Sequence, residues 1–281
     1  MTLRRILLAA ALAFSAGVAQ AQTLPPLRTG VDGTFAPHAM AKLGGGIEGF
    51  NVDLFTEVAK RMGRGIEIES TSFSGLIPGL QSGRYDFIAA PTTVTKERAE
   101  NMIFTAGYLW TAFQFGIKKG AEPIKGWADL KGKAVSVNKG TPYESLAKAM
   151  GERFGFQTLV FDTQPDATQA VLAGRAYATL GGNTVIRYAA SRTPQFVADL
   201  VLTDTRAHWA APFRKDQVAL RNQMQDVLNC MKKDGTIAKL STKWFGVAPA
   251  ADDLENVITP GYGVPGMPGY DATPVELKCP A

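Results

Sequence analysis

Histidine and cysteine are scarce in this chain. Of its 281 residues, two are histidine and two are cysteine: His38, His208, Cys230 and Cys279. No close Cys/His spacing exists among them, so no metal site is expected. Nucleophile elbows and metal-protease helix motifs are missing too, which leaves no catalytic residue to assign. Long apolar runs are limited to residues 6–18, and no second run approaches membrane-spanning length. Nor is charge of one sign in strong excess. The formal net charge is +5, or about +3 without Arg4 and Arg5, too mild for a nucleic-acid footprint. Residues 44–49 satisfy G-x-G-x-x-G, with Glu69 at the spacing of a ribose-binding acid. No strand runs into them, so they read as a flexible β-turn, and no cofactor is expected.

What is present begins with an export signal. Arg4 and Arg5 precede the apolar run, and Ala19-Gln20-Ala21 supplies small residues before a cut at Gln22. This is the layout of a cleaved secretory signal over residues 1–21 rather than a retained anchor. The mature product is expected to be soluble and exported. In an oxidising compartment the even cysteine count favours a Cys230–Cys279 disulfide over two buried free thiols. Closing that loop would stabilise the fold by on the order of 4 kcal/mol in the chain-entropy model. It would also pin the Pro/Gly-rich tail, residues 247–281, to the helix carrying Cys230. Lys118, Lys119, Lys131, Lys133 and Lys139 read as a solvated face.

The mature length and the hydrophobic pattern suit two modest domains. Residues 27–32 read as a strand, and Asn51 caps a helix whose Leu54, Phe55, Val58, Ala59 and Met62 recur with helical period until Gly63. A strand at 66–70, a helix at 76–81 and a short strand at 86–90 give βαβα order. That order implies a parallel sheet with its site beyond the strand carboxyl ends. A second round has strands at 134–137, 157–161 and 177–180, with helices at 140–150, 167–173 and 184–190. Residues 217–244 are helical and amphipathic, interrupted at Asp234-Gly235. Extended crossings near 113–117 and 209–213 would form a hinge, with the cleft between the lobes as the ligand site.

The most informative stretch is residues 49–105. It contains Gly-Phe-Asn-Val-Asp-Leu, then Phe-Ser-Gly-Leu-Ile-Pro-Gly-Leu-Gln-Ser-Gly-Arg-Tyr-Asp, then Thr-Thr-Val-Thr-Lys-Glu-Arg, then Phe-Thr. With Asp129-Leu-Lys-Gly-Lys-Ala-Val, Lys139-Gly-Thr, Asp234-Gly-Thr and Lys243-Trp-Phe-Gly, it resembles the family 3 extracellular solute-binding proteins, periplasmic receptors of polar amino-acid ABC importers. The resemblance spans residues 27–246 and leaves the tail outside. It implies an α/β fold of the two-lobed, type II periplasmic binding protein kind, with parallel or mixed sheets flanked by helices and a two-strand hinge. Residues 24–113 and 213–246 would form the first lobe and 117–209 the second. It also implies a periplasmic monomer that captures an amino acid or related small carboxylate and partners an inner-membrane ABC permease.

Thr95 and Arg98 read as the N-cap and first-turn residue of a short helix, so Arg98 projects beside free backbone N–H groups. A planar guanidinium grips a carboxylate through two parallel hydrogen bonds. The resemblance implies that the Thr93 hydroxyl donates to the same carboxylate and that the Pro91 carbonyl accepts from a ligand ammonium. It places Gly140 and Thr141 on the opposite lip, offering an N–H and a hydroxyl. Phe35 and Phe73 would shape the pocket, with core packing as the alternative. Asp32 would read the far end of the ligand, with an Asx-turn as the alternative. One departure stands out. Gly182 occupies the place of an aspartate that faces the ligand α-ammonium in the family pattern, and neighbouring Asn183 offers only an uncharged acceptor. The ligand is thus expected either to lack an α-ammonium or to recruit another acid such as Asp32. Two other functions stay open: an exported cyclohexadienyl dehydratase on the same fold, with Glu144 or Asp162 near the mouth as general acid, and a sensory receptor domain.

Overall fold

Residues 24–279 are described by this computed structural model; the signal expected at residues 1–21 lies outside the described residues. The chain opens with β1 (Leu27–Val31), a hairpin of β2 (Met40–Ala41) and β3 (Ile47–Glu48), α1 (Phe50–Arg61), β4 (Ile66–Ser70), α2 (Phe73–Gln81) and β5 (Phe87–Ile88). β1 is buried at every position except Arg28 because it is the middle strand, parallel to β4 on one side and to β5 on the other. Helical spacing puts Leu54, Phe55, Val58 and Ala59 on the buried face of α1. Its N-cap is Gly49 rather than Asn51. Gly49 takes φ 146° and lies against the His38 carbonyl, where a Cβ would clash. Asn51 sits inside the helix, and its amide donates to the Ala89 carbonyl at 2.6 Å and the Tyr108 hydroxyl at 2.7 Å. Buried tertiary partners, not the helix end, claim that side chain. Gly44, Gly45 and Gly46 turn the β2–β3 hairpin, all at positive φ.

Next come β6 (Thr92–Thr93), α3 (Lys96–Asn101), β7 (Ile103–Phe104), β8 (Leu109–Lys118) and a 3-10 turn (Trp127–Leu130). These are followed by β9 (Ala134–Asn138), α4 (Pro142–Phe154), β10 (Gln157–Phe161), α5 (Gln164–Leu172), β11 (Ala178–Gly182) and α6 (Asn183–Arg192). The chain then runs through β12 (Phe196–Ala210), β13 (Pro212–Phe213), α7 (Val218–Lys233) and α8 (Thr236–Phe245). A mixed six-stranded sheet has the order β10-β9-β11-β8-β12-β6. β9 is parallel to β10 and β11, while β8 is antiparallel to β11 and β12. Residues 113–117, expected as a crossing, are paired on both sides inside this sheet. The strands that pass between the lobes run just ahead of it, where the Thr105 N–H donates to the Ala211 carbonyl and the Tyr108 N–H to the Trp209 carbonyl. α5 begins three residues before the expected 167 because Thr163 caps it, accepting the Asp166 N–H at 3.1 Å.

The polypeptide returns to its first lobe after leaving the second. Phe213 of β13 stacks on Phe87 at 5.8 Å, and Phe87 packs against Phe55 of α1 at 5.1 Å. One core therefore joins segments more than a hundred residues apart. Gly235, at φ 76°, separates α7 from α8 at the expected interruption. The tail then lies back on α7. Gln225 Oε1 accepts the N–H groups of Ala106 (2.7 Å) and Gly263 (2.8 Å), and its Nε2 donates to the Gly261 carbonyl at 2.6 Å. The buried Lys232 amine donates to the carbonyls of Gly107 and Val257 at 2.7 and 3.0 Å. Cys230 and Cys279 are joined as a disulfide, with Cα atoms 5.5 Å apart. Among the described residues no helix is long and apolar enough to cross a membrane.

Candidate functional site

Arg98 stands where the two lobes meet. Thr95 caps α3 and accepts the Arg98 N–H at 3.3 Å, which turns the chain so that the guanidinium doubles back over β6. It donates to the Thr93 carbonyl at 3.0 Å and, across the interlobe crevice, to the Gly140 carbonyl at 3.1 Å. Phe73, the first residue of α2, lies against it, with 5.4 Å from guanidinium carbon to ring centre, within cation–π range. Burial lowers the Arg98 pKa to about 10, so the group stays cationic at neutral pH. Its bonds are to carbonyls, and among the described residues it has no ion pair. A planar cation with N–H groups to spare suits a carboxylate. It borders a groove of about 560 Å³ between the lobes, whose wall includes Ile77, Thr95, Met102, Thr141 and Pro142.

The opposite lip is more occupied than the sequence suggests. Thr141 is the N-cap of α4; its hydroxyl donates to the Asn138 carbonyl at 2.5 Å and accepts the Glu144 N–H at 3.4 Å. The Gly140 N–H donates to the Glu144 carboxylate at 2.7 Å. Both donors expected from this lip are therefore engaged within the chain, and Gly140 meets Arg98 through its carbonyl. Gly140 takes φ 74°, and a Cβ there would stand 3.1 Å from the Ser74 Cα, so a glycine lets the lobes approach.

Trp209 and Tyr143 fill the space behind Thr93. Trp209, fully buried on β12, donates its indole N–H to the Thr93 hydroxyl oxygen at 3.0 Å, which leaves the Thr93 proton free to be donated elsewhere. Tyr143, in the first turn of α4, packs edge-on against Phe113 at 4.6 Å. Burial pushes its phenol pKa up, while nearby Arg98 and hydroxyls of Thr111 and Thr93 act in the opposite direction. A Cβ on Gly182 would fall 2.8 Å from the Tyr143 hydroxyl and 2.9 Å from the Trp209 ring. Gly182 is thus a contact surface for two aromatic side chains. Neither aromatic was singled out from the sequence; the signal available was Tyr143 two residues beyond the Gly140-Thr141 motif.

The remaining predicted residues divide. Phe35 is buried and meets Trp209 edge-on at 6.4 Å and His38 at 5.9 Å. Pro91 is buried between β5 and β6. Asn183 turns to β8, where its side-chain oxygen accepts the Ala112 N–H at 3.4 Å. Asp32 makes an Asx-turn, with Oδ1 accepting the Thr34 N–H (3.0 Å) and hydroxyl (2.6 Å). Its Oδ2 is nevertheless buried without a partner, as are Gln164 Oε1 and both amide atoms of Asn138. Buried polar atoms are normally bonded to protein or to ordered water. His38 bridges the lobes through bonds to Asn51 Oδ1 (2.9 Å) and the Thr184 hydroxyl (2.8 Å), and burial holds its pKa down to about 3.

The two acids weighed as proton donors are committed elsewhere. Glu144 holds the Gly140 N–H and Lys148 Nζ, at 2.7 and 2.6 Å. Burial opposes its ionisation, but those bonds keep its pKa below the ordinary value, which suits a structural carboxylate better than a general acid. Asp162 is exposed and pairs loosely with Lys139 at 3.7 Å. Among the described residues, no group of three or more His, Cys, Asp or Glu side chains is placed to hold a metal ion.

Comparison with known proteins gives the site a context. The family model described as bacterial extracellular solute-binding proteins, family 3, matches residues 27–247. The L-cystine-binding protein TcyJ of Escherichia coli (strain K12) is 30% identical over 221 residues, covering 78% of this chain and 82% of that protein. An ancestral arginine-binding protein solved with arginine bound has a TM-score of 0.76 at 32% identity, over 80% of this chain and 100% of that one. The ancestral amino acid-binding protein AncCDT-1, titled a precursor of cyclohexadienyl dehydratase, has a TM-score of 0.73 at 32% identity, over 78% of this chain and 95% of that one.

Proposed function

Because this chain belongs to the bacterial extracellular solute-binding proteins, family 3, we propose that it is the exported receptor of an ABC uptake system. It captures an amino acid or related small carboxylate in the interlobe crevice and delivers it to an inner-membrane permease. We read it as a monomer working in the periplasm, with residues 24–113 and 213–246 as the first lobe and 117–209 as the second. Relatives named for cystine, arginine and amino-acid binding support a solute with a carboxylate, and they are named as binding proteins rather than enzymes.

The observation that carries the site assignment is Arg98, a half-buried cation that reaches both lobes and bonds to carbonyls, with no ion pair among the described residues. In this reading the solute carboxylate takes its remaining N–H groups, and the Thr93 hydroxyl adds a donor. Phe73 holds the guanidinium flat, and Phe35 and Asp32 lie further along the crevice. A solute touching both lips is bound only when the lobes are together, so its binding energy favours closure.

Ligand carried through purification can be released by denaturation, identified by mass spectrometry and titrated calorimetrically into refolded, ligand-free protein. Arg98→Ala removes charge-assisted hydrogen bonds worth about 3 kcal/mol, so its Kd for that acid should rise about a hundredfold. An unchanged Kd would remove Arg98 from the site.

A further inference from the structure

The tail begins where the family match ends, at residue 247, and one face of α7 is built to receive it. Arg221, Gln225 and Lys232 follow one another at spacings of four and seven, which puts them on the same face of the helix, and none is more than 3% exposed. Each reaches in two directions. Arg221 Nη1 donates to the Phe104 carbonyl at 3.0 Å and to the Gly269 carbonyl at 3.4 Å. Gln225 holds the Ala106 N–H on one side and Gly261 and Gly263 on the other. Lys232 Nζ donates to the carbonyls of Gly107 and Val257. Three buried side chains thus tie residues 104–107 and the tail to one helix. Polar groups this deeply buried are costly unless their bonds are made, so each rung needs both of its partners.

Residues 104–107 lead straight into β8, and the tail also reaches the segment that returns. Gly107 lies against both His208 and Leu254: a Cβ there would stand 2.9 Å from the His208 ring and 2.9 Å from a Leu254 methyl. Leu254 is itself buried. Glu255 then accepts the Ser241 hydroxyl of α8 at 3.0 Å, and the far end of the tail is held by the Cys230–Cys279 disulfide. Past these contacts β8 and β12 pair from Leu109 with Trp209 to Thr111 with Ala207, after which the register breaks and the next pair is Phe113 with Leu202. Residues 203–206 are the surplus, a bulge opposite Ala112. Trp209 pairs with Thr93 of β6, so the stretch beside the tail also carries one wall of the crevice.

We infer that the tail is a strap, clamping the first-lobe ends of both connecting segments onto α7 so that movement between the lobes bends at the bulge and does not spread into residues 104–109 or 207–211. The strap acts whatever solute the crevice takes.

Hydrogen exchange read by mass spectrometry tests this on the mature, disulfide-intact chain and two variants. One ends at Gly246 and carries Cys230→Ala, which removes the thiol left without a partner; the other is full-length Leu254→Ala. Truncation should lower the protection of peptides 103–109 and 207–213 at least tenfold more than that of β1 and β9, and Leu254→Ala at least threefold more. If the truncated chain has no cooperative melting transition, Leu254→Ala decides alone. An equal loss in all four regions would mean that the tail only adds general stability and would overturn the strap, as would unchanged protection in the two connecting segments.

Discussion

Gly182 shows how one missing side chain sets the chemistry of a crevice. The sequence marks it as a departure from a family pattern, but the cause lies in Trp209 and Tyr143, whose atoms occupy the volume a side chain would need. Gly182→Ala should therefore destabilise the protein by about 1–3 kcal/mol, the usual cost of overpacking, seen as a lower urea midpoint with an unchanged m-value. An unaltered midpoint would mean that the aromatic wall yields easily. Arg98 is the opposite case. A TTxTxxR sequence within a matching motif was enough to single it out, because an N-cap followed by a first-turn arginine fixes the local geometry. Its bonds to carbonyls on both lobes were not legible, since Gly140 is 42 residues away along the chain.

At the scale of elements, α7 does more than its amphipathic pattern announces. Val218, Met224, Val227, Leu228 and Met231 were legible as an apolar side, and of these Met224, Leu228 and Met231 are fully buried. The same helix also carries Gln225 and Lys232, polar residues that a hydrophobic pattern assigns to solvent. Each ties the 104–107 segment, which leads into the interlobe strand β8, to the tail. Gln225→Ala would leave the Ala106 and Gly263 N–H groups and the Gly261 carbonyl unpaired in a buried setting. At about 1–3 kcal/mol per unsatisfied group, a loss of about 3 kcal/mol or more is expected in urea denaturation. A loss below 1 kcal/mol would show that water replaces the amide. Register differences have a similar origin. Residues 113–117 look like a lone extended crossing, yet β8 is a central strand whose partners, β11 and β12, come much later in sequence.

For the whole molecule, the lobes are joined by polar contacts as well as by strands, and one of these responds to pH. His38 on the first lobe meets Thr184 at the start of α6, and burial holds its pKa to about 3. Its folded value lies below the unfolded value of about 6.5, so between these values the unfolded chain binds a proton that the folded chain refuses. Stability is full above 6.5 and falls as pH decreases through that window. From pH 6.5 to 4.5 this one group should cost about 2 kcal/mol. His208, lowered to about 4 by burial and by Lys232 and Arg206, acts in the same direction. The comparison that isolates His38 is the urea midpoint of wild type and His38→Gln over that range: the variant should show the shallower fall, and parallel curves would refute the assignment. The sequence by itself determined the alternation of strands and helices, the cysteine pair and the arginine at the crevice, because periodicity, caps and contiguous motifs are local properties of the chain. Only the tertiary structure decided what surrounds that arginine. Trp209, Tyr143 and Gly182 come from separate strands and helices, and whether such residues share a volume depends on packing between elements, which no run of neighbouring residues encodes.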